Sequence, residues 1–140
     1  MKLWLCAVGR LRPAFREAAD DYIRRLRRVI DLAEIEVREA GKAPQPVSAQ
    51  RTEAERLSAR IPAGSRTIAL DRSGQPWSSA GLAGQLQRWR EAARPVALIL
   101  GGSHGLDPGL LRECQERWSL GPLTLPHQLA RVIVLEQLYR

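Results

Sequence analysis

Residues 101–105, Gly-Gly-Ser-His-Gly, fit G-x-S-x-G, the turn that presents a serine nucleophile in many hydrolases. They fit equally a glycine-rich loop after a strand, whose bare backbone cradles a cofactor. A nucleophilic Ser103 needs a tight turn straight into a helix, then a histidine and a carboxylate, for which His127 and Asp107 or Glu136 are available. Gly105 and Pro108 delay the helix, the chain after Ser103 is short, and no HGGG-like oxyanion segment is present. A Walker-type phosphate loop fails because no G-K-[ST] follows the glycines, and G-x-G-x-x-G is absent after the first strand. What remains is a site built mostly from main-chain groups and apolar side chains, suited to an adenosine-bearing ligand. Ordinary turns in a small α/β domain are the alternative.

The elements that must carry this loop follow from hydrophobic periodicity. "KLWLCAV" (2–8) is a short apolar run closed by Gly9, and reads as a buried strand. Pro13 can open a helix in which Phe15, Ala19, Tyr22, Leu26 and Ile30 recur at helical spacing. Arg24 and Arg28 then face the other way, with Arg25 and Arg27 on the flanks. "LAEIEVRE" (32–39) alternates like a half-buried strand, and "AGKAPQPVS" (40–48) is loop, ending near Ser48 as a possible helix cap. A polar helix over about 49–61 follows. "RTIALD" (66–71) is a third strand and "RSGQPWSS" the loop after it; a helix over 80–92 places Leu82, Leu86 and Trp89 on one face. "PVALIL" (95–100) is apolar throughout, as a strand covered on both faces should be. A short helix (108–116), a fifth strand in "RWSLG" and a last helix over 127–140 complete the chain.

Strands alternating with helices make this a single α/β domain over residues 1–140, a mostly parallel sheet flanked by helices. Ligands in such folds bind beyond the carboxyl ends of the strands. The loops after Leu70-Asp71, Leu100 and Leu120 qualify, and all three are rich in glycine, proline and serine. The chain has 140 residues with 44% hydrophobic content, enough for one genuine core. Its net charge of +7 is almost all arginine, with lysine only at positions 2 and 42, which suits a nucleic-acid binder or reflects a coding bias. Cys6 and Cys114 stand apart, and with His104 and His127 they show no zinc-site spacing, so buried reduced thiols and no metal are expected. The apolar start stops at Gly9-Arg10, too short for a signal peptide or a membrane span; a cytoplasmic protein is expected.

"MKLWLCAVGR", "DDYIRRL", "IALDRSGQPWSS", "LILGGSHGLD" and "WSLGPLTLPHQLARVIVLEQLYR" resemble, in this order, the ribosomal large-subunit RNA methyltransferase H family. The resemblance covers essentially the whole chain. It implies a SPOUT-type fold with a C-terminal trefoil knot, which no spacing argument could reveal. It implies methylation of N3 of a pseudouridine in 23S rRNA, in the large subunit or the assembled 70S ribosome, with S-adenosylmethionine. By motif match the cofactor would be held by Leu70, by Gly101 and Gly102, and by Leu120, Gly121, Pro122, Leu123, Thr124 and Leu125. These fall on the three loops singled out above. His127 and Arg131, one helical turn apart, match the family pattern and are the catalytic candidates. A helix-start histidine and a surface arginine are the plainer readings. His104 sits where the family varies and is assigned no catalysis.

The resemblance also implies a homodimer. Independently, Ala130, Val132, Ile133, Val134, Leu135, Leu138 and Tyr139 leave the last helix apolar around most of its circumference, which calls for cover on more than one side. Family chains usually continue past "LYR" into a tail ending in a His-Pro-Tyr-His-like motif, whereas this sequence stops at Arg140. The expectation is retained cofactor binding with weak or absent turnover. The second reading is accordingly a non-catalytic ribosome- or RNA-binding module that keeps the fold.

Overall fold

A computed structural model describes residues 1–41 and 45–140. Five strands and five helices alternate: β1 Lys2–Val8, α1 Pro13–Leu26, β2 Asp31–Val37, α2 Pro46–Arg60, β3 Arg66–Gln75, α3 Ser79–Glu91, β4 Val96–Leu100, α4 Pro108–Glu113, β5 Glu116–Trp118 and α5 His127–Tyr139. The strands form one sheet in the order β2-β1-β4-β3-β5, every neighbouring pair parallel. This is the expected α/β sheet flanked by helices.

The two faces can be read from the pleat. In β1, Leu3, Leu5 and Ala7 join one core cluster while Cys6 and Val8 join the other. β4 divides likewise, Val96, Leu98 and Leu100 against Ala97 and Ile99. The first face is covered by α1, α3 and α5 through Ile23, Leu82, Trp89, Val134 and Leu135; the second by α2 and α4 through Leu57 and Leu110. Burial on both faces explains why the central strands are apolar without alternation.

Three expectations need correction. α1 ends at Leu26, so Arg27 and Arg28 lie in the following turn, where the Ile30 N–H still reaches the Leu26 carbonyl at 2.8 Å and Ile30 packs into the core. α2 starts at Pro46, not near Ser48; its N-cap Gln45 gives no side-chain bond, and proline in the first turn does the work of a cap because it has no N–H to satisfy. Part of the 40–48 loop lies outside the described residues. β3 runs through the first half of the segment read as loop, to Gln75, with a register shift between Leu70 and Gln75. Gln75 pairs with Trp118 and takes the Ser119 N–H at 2.9 Å. Gly74 permits this, since a Cβ there would stand 2.5 Å from the Arg117 carbonyl carbon.

Cys6 has no exposed surface, and burial pushes its thiol up to about 12, against the pull of Arg60. An unfolded cysteine titrates at about 8.5. At pH 8 the folded protein therefore holds almost no Cys6 thiolate. Treated with iodoacetamide at that pH and read by mass spectrometry, Cys6 should stay unmodified until denaturant is added; rapid labelling of the native protein would contradict its placement.

Candidate active site

The loops following β3, β4 and β5 converge at the carboxyl edge of the sheet around a cleft of about 840 Å³. That lies within the roughly 300–1,000 Å³ of small-molecule sites. Leu70, Gly101, Gly102, Leu120, Gly121, Leu123, Thr124, Leu125 and His127 all line it; Pro122 and Arg131 do not. Leu100, Leu106 and Trp118 add apolar wall, and Asp71, Arg72 and Gln50 were not anticipated. Trp118 is held from below by Trp77, whose ring lies 6.0 Å from both Trp118 and Trp89. The end of β5 and the start of α3 are thereby locked together.

The 119–126 segment offers backbone donors to a ligand. Gly121 N–H is answered by the Ser119 hydroxyl at 3.1 Å, whereas the N–H groups of Leu120, Leu123, Thr124 and Leu125 find no acceptor among the described residues. Unpaired donors beside leucine side chains are what an adenosine needs, its ring edge reading backbone and its faces lying on hydrocarbon. The arrangement fits an adenosine-bearing cofactor.

The glycines work differently from the sequence reading, in which their missing side chains make room for the cofactor. A Cβ on Gly101 would stand 2.6 Å from the Gly105 carbonyl carbon, and one on Gly102 would stand 3.0 Å from Val8 Cγ1. Both spaces are filled by protein, and the glycines let the loop fold back on itself and onto β1. Gly105 and Gly121 have positive φ, +76° and +112°, with open space where a Cβ would project.

Ser103 sits on the exposed turn closed by the Gly102–Gly105 bridge, and α4 begins only at Pro108, capped by the Asp107 carboxylate on the Gly109 and Leu110 N–H groups. No strand-to-helix elbow exists at this serine, so the nucleophile reading loses its geometry.

A model of the family described as "Predicted SPOUT methyltransferase" matches residues 1–140. The chain belongs to the SPOUT methyltransferase family. The protein named Ribosomal RNA large subunit methyltransferase H of Pseudomonas aeruginosa PAO1 is 42% identical over 143 residues, covering 100% of this chain and 92% of the relative. Its namesake from Anaeromyxobacter sp. Fw109-5 is 41% identical over 141 residues with the same coverage. Among solved structures, a probable methyltransferase from Bordetella pertussis Tohama I shares the fold with a TM-score of 0.61 at 17% identity, over 99% of this chain and 94% of that one.

In this SPOUT methyltransferase chain His127 is the first residue of α5, half-buried in the cleft wall. Arg131, one turn on, is no surface arginine; it is 1% exposed. Its guanidinium bonds the Glu36 carboxylate and the carbonyls of Val8 and Gly9, the latter two at 3.3 and 2.9 Å, and lies 3.7 Å from Glu34. Arg16 on α1 grips Glu34 through two bonds of 3.1 and 2.7 Å. Burial pushes the Glu34 carboxyl above its usual range, against the pull of Arg16. The network ties α5 and α1 to the ends of β1 and β2.

The exposed arginines near the end of α1 are partly occupied. Arg24 and Arg25 share Asp21, at 3.5 and 3.1 Å, and Arg27 donates to the Leu32 carbonyl. Among the described residues no cluster of three histidines, cysteines or carboxylates could hold a metal, and no helix is long and apolar enough to cross a membrane.

Removing Arg131 leaves Glu36 and two carbonyls without their donor. Arg131→Met should cost about 3–5 kcal/mol in urea unfolding. A variant as stable as the parent would show that the network carries no weight.

Proposed function

We propose that this protein transfers a methyl group from S-adenosylmethionine to N3 of a pseudouridine in 23S rRNA, on the large subunit or the assembled 70S ribosome. The observation that carries the reading is the cleft itself: three strand-end loops with leucine walls, one of them with free backbone donors, in a chain whose relatives carry the name of a ribosomal RNA large-subunit methyltransferase. Leu70, Gly101, Gly102 and the 120–125 segment would hold the cofactor. When bound, it supplies a methyl group already activated by a sulfonium.

The chain's own task is then orientation, water exclusion and proton removal. Leu70, Leu120 and Leu125 exclude water from the reacting centre. His127, in the cleft wall, would take the N3 proton, leaving a nucleophilic nitrogen lone pair. Arg131 acts through position, by fixing the helix that carries His127. The +7 charge favours rRNA through phosphate contacts. A homodimer and the C-terminal trefoil knot belong to the same proposal. Leu129 and Tyr139 remain 36% and 45% exposed on α5, apolar surface that a twin subunit would cover.

Two measurements test this reading. Titration calorimetry should show S-adenosylmethionine and its demethylated product binding one site per chain. Under single-turnover conditions, tritium from the labelled methyl group should appear in 23S rRNA, at the N3 of a pseudouridine by mass spectrometry of digests. Label in another nucleotide would overturn the substrate reading, and absence of cofactor binding would overturn the whole.

A further inference from the structure

A histidine that takes a proton needs its tautomer set, and a carboxylate near His127 can set it. His127 Nε2 is shut off from solvent and has no hydrogen-bond partner. The nearest opposite charge is Glu39 Oε1, 3.8 Å away. Nδ1 is therefore the ring nitrogen left free to meet a ligand.

The surroundings are shaped for this pair. Glu39 lies just beyond β2, its backbone held by Arg56, which donates to the carbonyls of Arg38 and Glu39 at 2.8 and 2.9 Å. Its carboxylate lies over Gly9, where φ is +87° and where any Cβ would stand 2.6 Å from Glu39 Oε1. The Gly9 carbonyl in turn accepts from Arg131 at 2.9 Å, which sets the helix one turn from His127. Glycine at position 9 thus clears the space for the carboxylate, while Arg131 brings the imidazole to it.

We infer that Glu39 is a positioning residue which accepts a hydrogen bond from the Nε2–H of His127 and fixes the tautomer whose Nδ1 lone pair faces the cleft. The 3.8 Å separation exceeds hydrogen-bond length, and such contacts commonly tighten when substrate binds. In the step itself, the N3–H bond of the target base breaks and its electron pair stays on N3. The proton forms a bond to Nδ1, and the resulting imidazolium faces the Glu39 carboxylate through Nε2–H. A carboxylate behind a histidine sets the ring's tautomer and orientation in this way in other sites. The inference rests on the proposed role of His127, but the pairing can be tested without turnover.

The chain has only two histidines, so long-range ¹H–¹⁵N spectra resolve both imidazoles, with His104→Gln to assign them. In the parent protein, neutral His127 should be mainly the Nε2–H tautomer. Glu39→Ala should move it toward the mixture of a free imidazole, and Glu39→Asp should restore most of the preference. In ribosome methylation, Glu39→Ala should lower kcat roughly 10- to 100-fold while the calorimetric affinity for S-adenosylmethionine stays unchanged. An Nδ1–H tautomer in the parent, or a Glu39→Ala protein with unchanged tautomer and kcat, would overturn the inference. A Glu39-dependent tautomer in a protein that methylates no rRNA would uphold the pair and overturn the substrate reading instead.

Discussion

A guanidinium cut off from water must have its donors answered by the protein, and Arg131 meets that demand at one place only. Its partners are the Glu36 carboxylate, the last carbonyl of β1 at Val8, and the carbonyl of Gly9 just beyond it. Satisfying them fixes where α5 lies against the sheet, both along the helix axis and in rotation. His127 opens that helix and the 119–126 segment leads into it, so one wall of the cleft is set by an ion pair that does not touch the cleft. Arg16 extends the constraint to α1 through Glu34, so two helices on one face share a single charged anchor. A buried ion pair gives little net stability over a hydrophobic replacement, whereas breaking one is costly. Its value here lies in specifying one arrangement of the helix.

The opposite wall is fixed by backbone contact. Gly101 brings the β4 loop against Gly105, Gly102 lays it on Val8, and Gly74 lets the far end of β3 run against β5. Side chains at Gly74 and Gly101 would force main chain apart, and one at Gly102 would press on the Val8 side chain. The glycines give the cleft its shape, which exposes leucine side chains and unpaired N–H groups.

Much of this is legible in the sequence. Strands buried on both faces have to be apolar runs, so β1 and β4 can be read almost to the residue, and Pro13 marks the start of α1. The three strand-end loops follow from composition because glycine and proline mark where a parallel sheet releases its chain. The far half of β3 is not legible in this way: Ser73-Gly74 reads as a turn, yet the pairing of this stretch depends on β5, far away in sequence. The burial of Arg131 has a signal that residue type conceals. Positions 131, 134, 135 and 138 are all buried, a helical stripe on which the arginine occupies a core position. Glu53 shares that pattern with Ala49 and Leu57 on α2. A charge on an apolar stripe points to a buried anchor rather than a solvated face. Glu39 and Gly9 give no such cue, because their meeting with His127 depends on β1, β2 and α5 coming together.

If the carboxyl edge of β3, β4 and β5, closed by an arginine-anchored helix, is a ready-made adenosine site, the demethylated cofactor product should bind there without rearrangement. A crystal structure with S-adenosylhomocysteine decides this. The adenine should lie between Leu70, Leu100 and the 120–125 segment, bonded to backbone groups there, with the Arg131 contacts to Glu36 and Gly9 intact. A ligand bound elsewhere, or a cleft that opens only after α5 leaves its anchor, would contradict a preformed site.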